Sequence, residues 1–410
     1  MPEEHTATTP GGDMTAHRSP AFQVNEEFLL LDPARGTTVP AGPALLRLLD
    51  GRPGPRPALM RYQVCTATAT CHTTGELRDE LSRLRTLVTE GARSLGCTPV
   101  AGGTAPYGTP GLRAVSGDPR SRALALRHPA LTALSGVCGC RVQVGVPSRD
   151  LAARVAGRLT PWLATLLAIS ANSPITDGHD TGWASNRYPA LAQWPTVRVP
   201  GPWTGTADYD RSVQLALHRG APDERGVGFL ARPGPDAPTV RVHVADTCPD
   251  TAATLLLAIL VRALVVTTTA EIAAGGAPQA VPPSRAAAGL LAAAHHGLAG
   301  PGLDPCTGRA VPAWDLVARL IARIAPALDE LGDAATAACL LGRLRERGTG
   351  ADRQRTLWAG TGSPARVVAG LATMTGAGVL SPPMVGEPAV TAGFGGRVQQ
   401  PDRRPASQVR

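Results

Sequence analysis

Arg141-Val142-Gln143-Val144-Gly145-Val146 and Thr239-Val240-Arg241-Val242-His243-Val244-Ala245-Asp246 place apolar and polar side chains on alternate positions. A period of two marks a strand with one buried face and one wetter face. Phe22 to Leu31 reads as a further strand, continuously apolar after Glu26 and Glu27 and ended by Asp32-Pro33. Met60 to Thr68 reads as another. Helical patterns lie among these strands without a βαβ fingerprint, so the expected class is α+β with an antiparallel sheet.

The helices announce themselves by their ends. Thr73-Thr74-Gly75-Glu76 is a capping box, and Leu77, Leu81, Leu84, Val88 and Leu95 follow at helical spacing until Gly96. Ser148 opens a helix running through Leu159, and Pro161 begins the next, ending near Ala171. Asp250 is placed to cap an apolar helix reaching Thr268. Its apolar run Leu255 to Val266 is short and carries Arg262, which argues for a buried helix and against a membrane span. Further helices are expected around residues 285–297, 312–330, 333–346 and 364–374, and residues 172–203 read as an aromatic-containing loop region.

The 410 residues include 40 basic ones, all arginine, against 32 acidic ones, for a formal charge of +8. Codon bias accounts for most of that arginine. Its chemical consequence is that no lysine is present for Schiff-base or P-loop chemistry. The hydrophobic fraction of 43% suffices for a core. Residues 1–20 read as a loose tail without a signal peptide, residues 21–375 as one domain, and residues 376–410 as a second tail. Eight cysteines without a compact framework suggest a reducing, cytoplasmic setting. Basic residues are not clustered with aromatics, so neither nucleic acid nor membrane is an expected partner.

Several segments, in order across residues 22 to about 370, resemble the carboxylate–amine ligases of the glutamate–cysteine ligase type-two family. They are Val24 to Leu30, Cys138 to Pro147, Ser170 to Pro174, Gly178 to Arg187, Val244 to Asp246 and Gly348 to Arg355. The resemblance implies a curved antiparallel sheet with helices on its outer face and a glutamine-synthetase-like cleft on the inner face. It also implies ATP and magnesium as cofactors, an acyl-phosphate intermediate, and a small-molecule carboxylate and amine as substrates. Self-association, or pairing with an intact paralogue, stays open.

The family's site pattern falls on this chain residue by residue. Glu27 is retained as the catalytic and metal-side carboxylate, and Arg187 as a catalytic arginine. Asp180, Ser185, Arg232, His243 and Asp246 stand at substrate- or nucleotide-binding positions. Asn25, Cys65, Arg141, Gln143 and Arg241 stand where the family places metal-site carboxylates and histidines. These replacements move the local charge by about five units toward positive, and each unit charge ~4 Å from a cation contributes roughly 4 kcal/mol of repulsion per ionic charge. Arg141 and Arg241 are therefore expected to occupy the metals' space and to pair with Glu27 or Glu26. A Cys/His set for zinc, drawn from Cys65, Cys138, Cys140 and His243, is the weaker alternative to ordinary buried thiols. Gly348 to Arg355 could touch a phosphate or cap two helices. Two functions remain: an ATP-dependent ligase, or a degenerate relative acting as a binding or regulatory module.

Overall fold

A computed structural model describes residues 19–221 and 223–376. The tails expected over residues 1–20 and 376–410 therefore lie outside the described residues, apart from residues 19, 20 and 376.

Seven strands form the main sheet. They are β1 (Phe22–Leu31), β2 (Pro55–Pro57), β3 (Gln63–Ala67), β4 (Thr98–Val100), β5 (Cys140–Gly145), β6 (Ala231–Pro233) and β7 (Thr239–Val242). Their order is β2-β3-β1-β5-β7-β6, with β4 added to the far end of β1, and every pairing is antiparallel. The chain is thus the expected α+β mixture. β7 stops at Val242, earlier than its alternation suggests, although Asp246 still bridges to Gly139.

Alternation decides the two faces. Phe22, Val24, Val142, Val144, Val240 and Val242 point to one side and are buried against helices Arg149–Arg158, Thr160–Ser170 and Thr251–Ala273. Asn25, Glu27, Cys65, Arg141, Gln143 and Arg241 point to the other and remain only partly covered. Fully burying one aliphatic side chain stabilises by about 1.5–3 kcal/mol, so the outer face locks the register.

The caps read from the sequence form as expected. Thr73 and Glu76 make their reciprocal box, Ser148 accepts from Leu151, and Asp250 accepts from Ala253. The helix begun at Asp250 runs past Thr268 to Ala273. It is long and apolar enough to cross a membrane, yet 78% of its apolar window is buried inside the fold. Arg262 is accommodated there by donating to the His72 carbonyl at 2.7 Å, by Asp333 at 3.7 Å, and by the Phe22 ring at 4.3 Å. Helices Pro283–His296, Ala313–Glu330, Ala334–Arg347 and Pro364–Gly376 match their expected positions. The region read as a loop contains a two-strand hairpin and helix Arg187–Ala192.

Candidate functional site

Strand pairing assembles the inner face from segments far apart in sequence. Glu27 lies opposite Cys65, Asn25 opposite both Ala67 and Arg141, Gln143 opposite both Gln23 and Arg241, and Arg241 opposite Arg232. Two adjoining cavities open over this face, about 240 and 890 Å³ in volume. They share Arg120, Arg141, Arg232 and Arg241. Glu27, Arg187 and His243 belong to the smaller one.

Glu27 is clamped before any ligand arrives. Its carboxylate accepts from the Gly139 N–H at 2.8 Å, its own N–H donates to the Gly139 carbonyl, and its carbonyl accepts from the Thr247 hydroxyl at 2.8 Å. Gly139 is required here by close approach. A Cβ at that position would meet the Arg187 guanidinium at 2.3 Å. One glycine therefore seats both Glu27 and Arg187.

Arg187 is 1% exposed. It donates to the Val244 carbonyl at 3.2 Å and to His243 Nε2 at 3.1 Å, and lies 3.9 Å from Asp246. A guanidinium only donates, so His243 Nε2 must be the bare nitrogen of a neutral ring. The surroundings agree. Burial, then the charges of Arg141, Arg187, Arg232 and Arg241, hold His243 well below the usual histidine range.

Asp246 and Ser185 are brought together, but in the framework beneath the cleft. Asp246 is fully buried and accepts from the Asn172 N–H and the Ser173 and Ser185 hydroxyls at 2.7–2.9 Å. Burial raises its carboxyl from the ordinary value despite those donors. Asp180 stands on the surface, where Arg355 grips it through two nitrogens at 2.8 and 3.1 Å. Gly348 to Arg355 turns out to cap and tie. Thr349 and Asp352 form a capping box, Arg353 pairs with Asp250 at 2.6 Å, and Gln354 donates to Asn172. Gly350 permits this, because a Cβ there would sit 2.1 Å from the Asn172 side chain.

The expected pairing of Arg141 and Arg241 with Glu26 needs correction. Glu26 points to the opposite face because strand neighbours alternate, and its partner is Arg85. Among the described residues neither Arg141 nor Arg241 forms an ion pair with Glu27. Both nevertheless line the cleft floor beside it. Arg241 donates its Nε to Gln143 Oε1 at 2.5 Å, and Arg232 donates to the Glu224 carbonyl at 3.1 Å. Burial, then repulsion from Arg141 and Arg232, pulls the Arg241 guanidinium down to about 10, which leaves it cationic.

Magnesium does not fit this set of donors. It needs hard oxygen ligands in near-octahedral array. One Glu27 oxygen is committed to Gly139 and Gln143 Oε1 to Arg241, while guanidiniums face the same space. Among the described residues no strand of the main sheet supplies another carboxylate to this face. The zinc alternative also lacks support, since the described residues hold no group of three or more His, Cys, Asp or Glu able to bind a metal. Burial instead raises the Cys138 thiol and pushes Cys65 up to about 12.

The apolar wall of the smaller cavity escaped sequence reasoning. Leu191, Trp194, Val197, Phe229 and Leu230 line it, from the region read as loop and the segment before β6. The aromatics inside that Gly- and Pro-rich stretch were the available signal.

Residues 24–370 match the family described as glutamate-cysteine ligase family 2. A relative from Salinispora tropica, provisionally named glutamate–cysteine ligase 2, is 41% identical over 86% of this chain and 94% of its own. One from Saccharopolyspora erythraea, provisionally named glutamate–cysteine ligase 2-2, is 39% identical over 92% and 97%. Among solved structures, a glutamate–cysteine ligase from Francisella tularensis in complex with AMP superposes with TM-score 0.58 at 13% identity, covering 88% of this chain and 93% of that one. A bifunctional glutathione synthetase from Pasteurella multocida gives 0.60 at 15% identity, covering 88% of this chain and 52% of that one.

Proposed function

The chain belongs to glutamate-cysteine ligase family 2, and from that premise we propose that it keeps the ligase fold and cleft as a small-molecule binding module without magnesium-dependent ligation. One observation carries the reading: Arg141 and Arg241 line the cleft floor where a cation-binding carboxylate set would be needed, and among the described residues Glu27 is the one acid that the strands put on the sheet's inner face.

The physical argument is electrostatic. Phosphoryl transfer to a carboxylate brings two anions together, and metal ions normally neutralise the charge that develops. Here fixed guanidiniums supply positive charge, but they repel the metal that would bridge nucleotide and carboxylate. Family membership favours the ordinary reading, an ATP-dependent ligase acting on a carboxylate and an amine. Glu27 and Arg187, both held in the cleft, speak for it.

ADP release from purified full-length protein with Mg·ATP, glutamate and cysteine separates the two. The expected result is release no faster than in protein-free controls. Sustained turnover requiring both amino acids would overturn the binding-module reading.

A further inference from the structure

The two cavities over the inner face differ in how their charges are balanced. At the rim, Arg120 pairs with Asp223 at 2.7 Å and Arg149 with Asp210 at 2.9 Å. On the floor, Arg141, Arg232 and Arg241 have no carboxylate within 4 Å among the described residues. The acids of the two linings are Glu27, held by Gly139, and, around the larger cavity, Asp210, Asp223, Glu224 and Asp236, whereas the four residues common to both linings are all arginines. Positive charge therefore exceeds negative at the place where the cavities meet.

Two of those three guanidiniums are also partly oriented. Gln143 holds Arg241 by its Nε and leaves the two terminal nitrogens available; the Glu224 carbonyl holds one nitrogen of Arg232. Planar forks fixed in this way match phosphoryl oxygens two at a time, and pre-orientation lowers the entropy lost on binding. Beyond the floor, the smaller cavity presents Leu124, Leu191, Trp194, Val197 and Phe229.

We propose that Arg141, Arg232 and Arg241 form a metal-independent site for a phosphorylated small molecule, its phosphoryl oxygens on the guanidiniums and its apolar part against Trp194 and Phe229. This ligand class rests on the binding-module reading above. The built-in cations do the neutralising that a divalent ion would otherwise do. Binding an oxyanion also relieves the mutual repulsion that Arg141 and Arg232 impose on Arg241. The ligand's affinity should thus survive removal of all divalent metal and weaken with salt.

Calorimetry on the full chain, with inorganic tripolyphosphate and with 1-naphthyl phosphate in EDTA, tests this. Tripolyphosphate should bind in EDTA, with Kd rising at least ~tenfold in Arg241→Gln and in Arg141→Gln, as loss of a charge-assisted bond implies. Arg141→Lys, which keeps charge but loses the fork, should fall between. Naphthyl phosphate should outbind inorganic phosphate, and Trp194→Ala should erase that advantage. Thermal melting of each unliganded variant checks folding. Binding that requires magnesium, is untouched by the arginine variants, or is matched by citrate would overturn the proposal. The two readings fail separately. Turnover with Mg·ATP alongside metal-free tripolyphosphate binding sinks only the binding-module reading. Absence of both turnover and tripolyphosphate binding sinks only the phosphoryl site.

Discussion

Glu26 and Glu27 are neighbours in sequence and inhabit opposite sides of one sheet. On the outer side Glu26 is fully buried and receives Arg85 through two nitrogens at 2.5 and 3.1 Å, with the Thr254 hydroxyl at 2.6 Å. Arg85 spends its remaining hydrogens on the carbonyls of Cys248, Pro249 and Thr375, so one guanidinium joins β1, the start of helix Thr251–Ala273 and the end of helix Pro364–Gly376. On the inner side Glu27 shares a cleft lining with Arg141, Arg187, Arg232 and Arg241. One side has a matched pair with satisfied donors. The other has surplus cations. Matched charge holds the structure together, and unmatched charge is held ready for a ligand.

The largest expected effect breaks the matched side. Arg85→Ala leaves Glu26 charged and buried without its partner, and should cost about 3–5 kcal/mol of unfolding free energy by urea titration. A cost below 1 kcal/mol would show that the pair does not organise the outer face. Arg241→Gln is the counterpart on the inner face. Without ligand it should leave stability unchanged or raise it by up to about 1 kcal/mol, because it removes like-charge repulsion and no ion pair. A loss of 3 kcal/mol would mean that the two faces do not differ as described.

An effect of similar size concerns pH. The folded state keeps His243 well below its unfolded value of 6.5, so below that pH the unfolded chain takes up a proton that the folded chain refuses. Stability should therefore fall as pH drops from about 6.5, by on the order of 1 kcal/mol per pH unit, until the folded ring also titrates. His243→Asn should flatten this part of the profile when urea midpoints at pH 7.5 and 5.5 are compared with the parent chain. An identical slope in both proteins would place the titrating group elsewhere.

Much of this was legible in the chain. Capping residues Thr73, Ser148 and Asp250 act within three residues of themselves, so their roles need no tertiary information. The alternation of β5 and β7 revealed which side chains share a face, and the resemblance to a ligase family singled out Arg141 and Arg241. Helix Arg187–Ala192 was not legible, because Gly- and Pro-rich flanks mask its short helical stretch. Asp180, singled out for a ligand, is instead tied to Arg355, a partner 175 residues away.

By itself the sequence determined the strand pattern, the helix caps and the presence of Arg141 and Arg241 on the polar side of two alternating strands, since each depends on local spacing or on residue identity. Only the tertiary structure decided their partners. It gave Glu26 to Arg85, closed Gly139 around Glu27 and Arg187, and left Arg141 and Arg241 facing the cleft without a carboxylate within 4 Å among the described residues. Ionic pairing falls steeply with distance and with exposure, and neither is written along the chain.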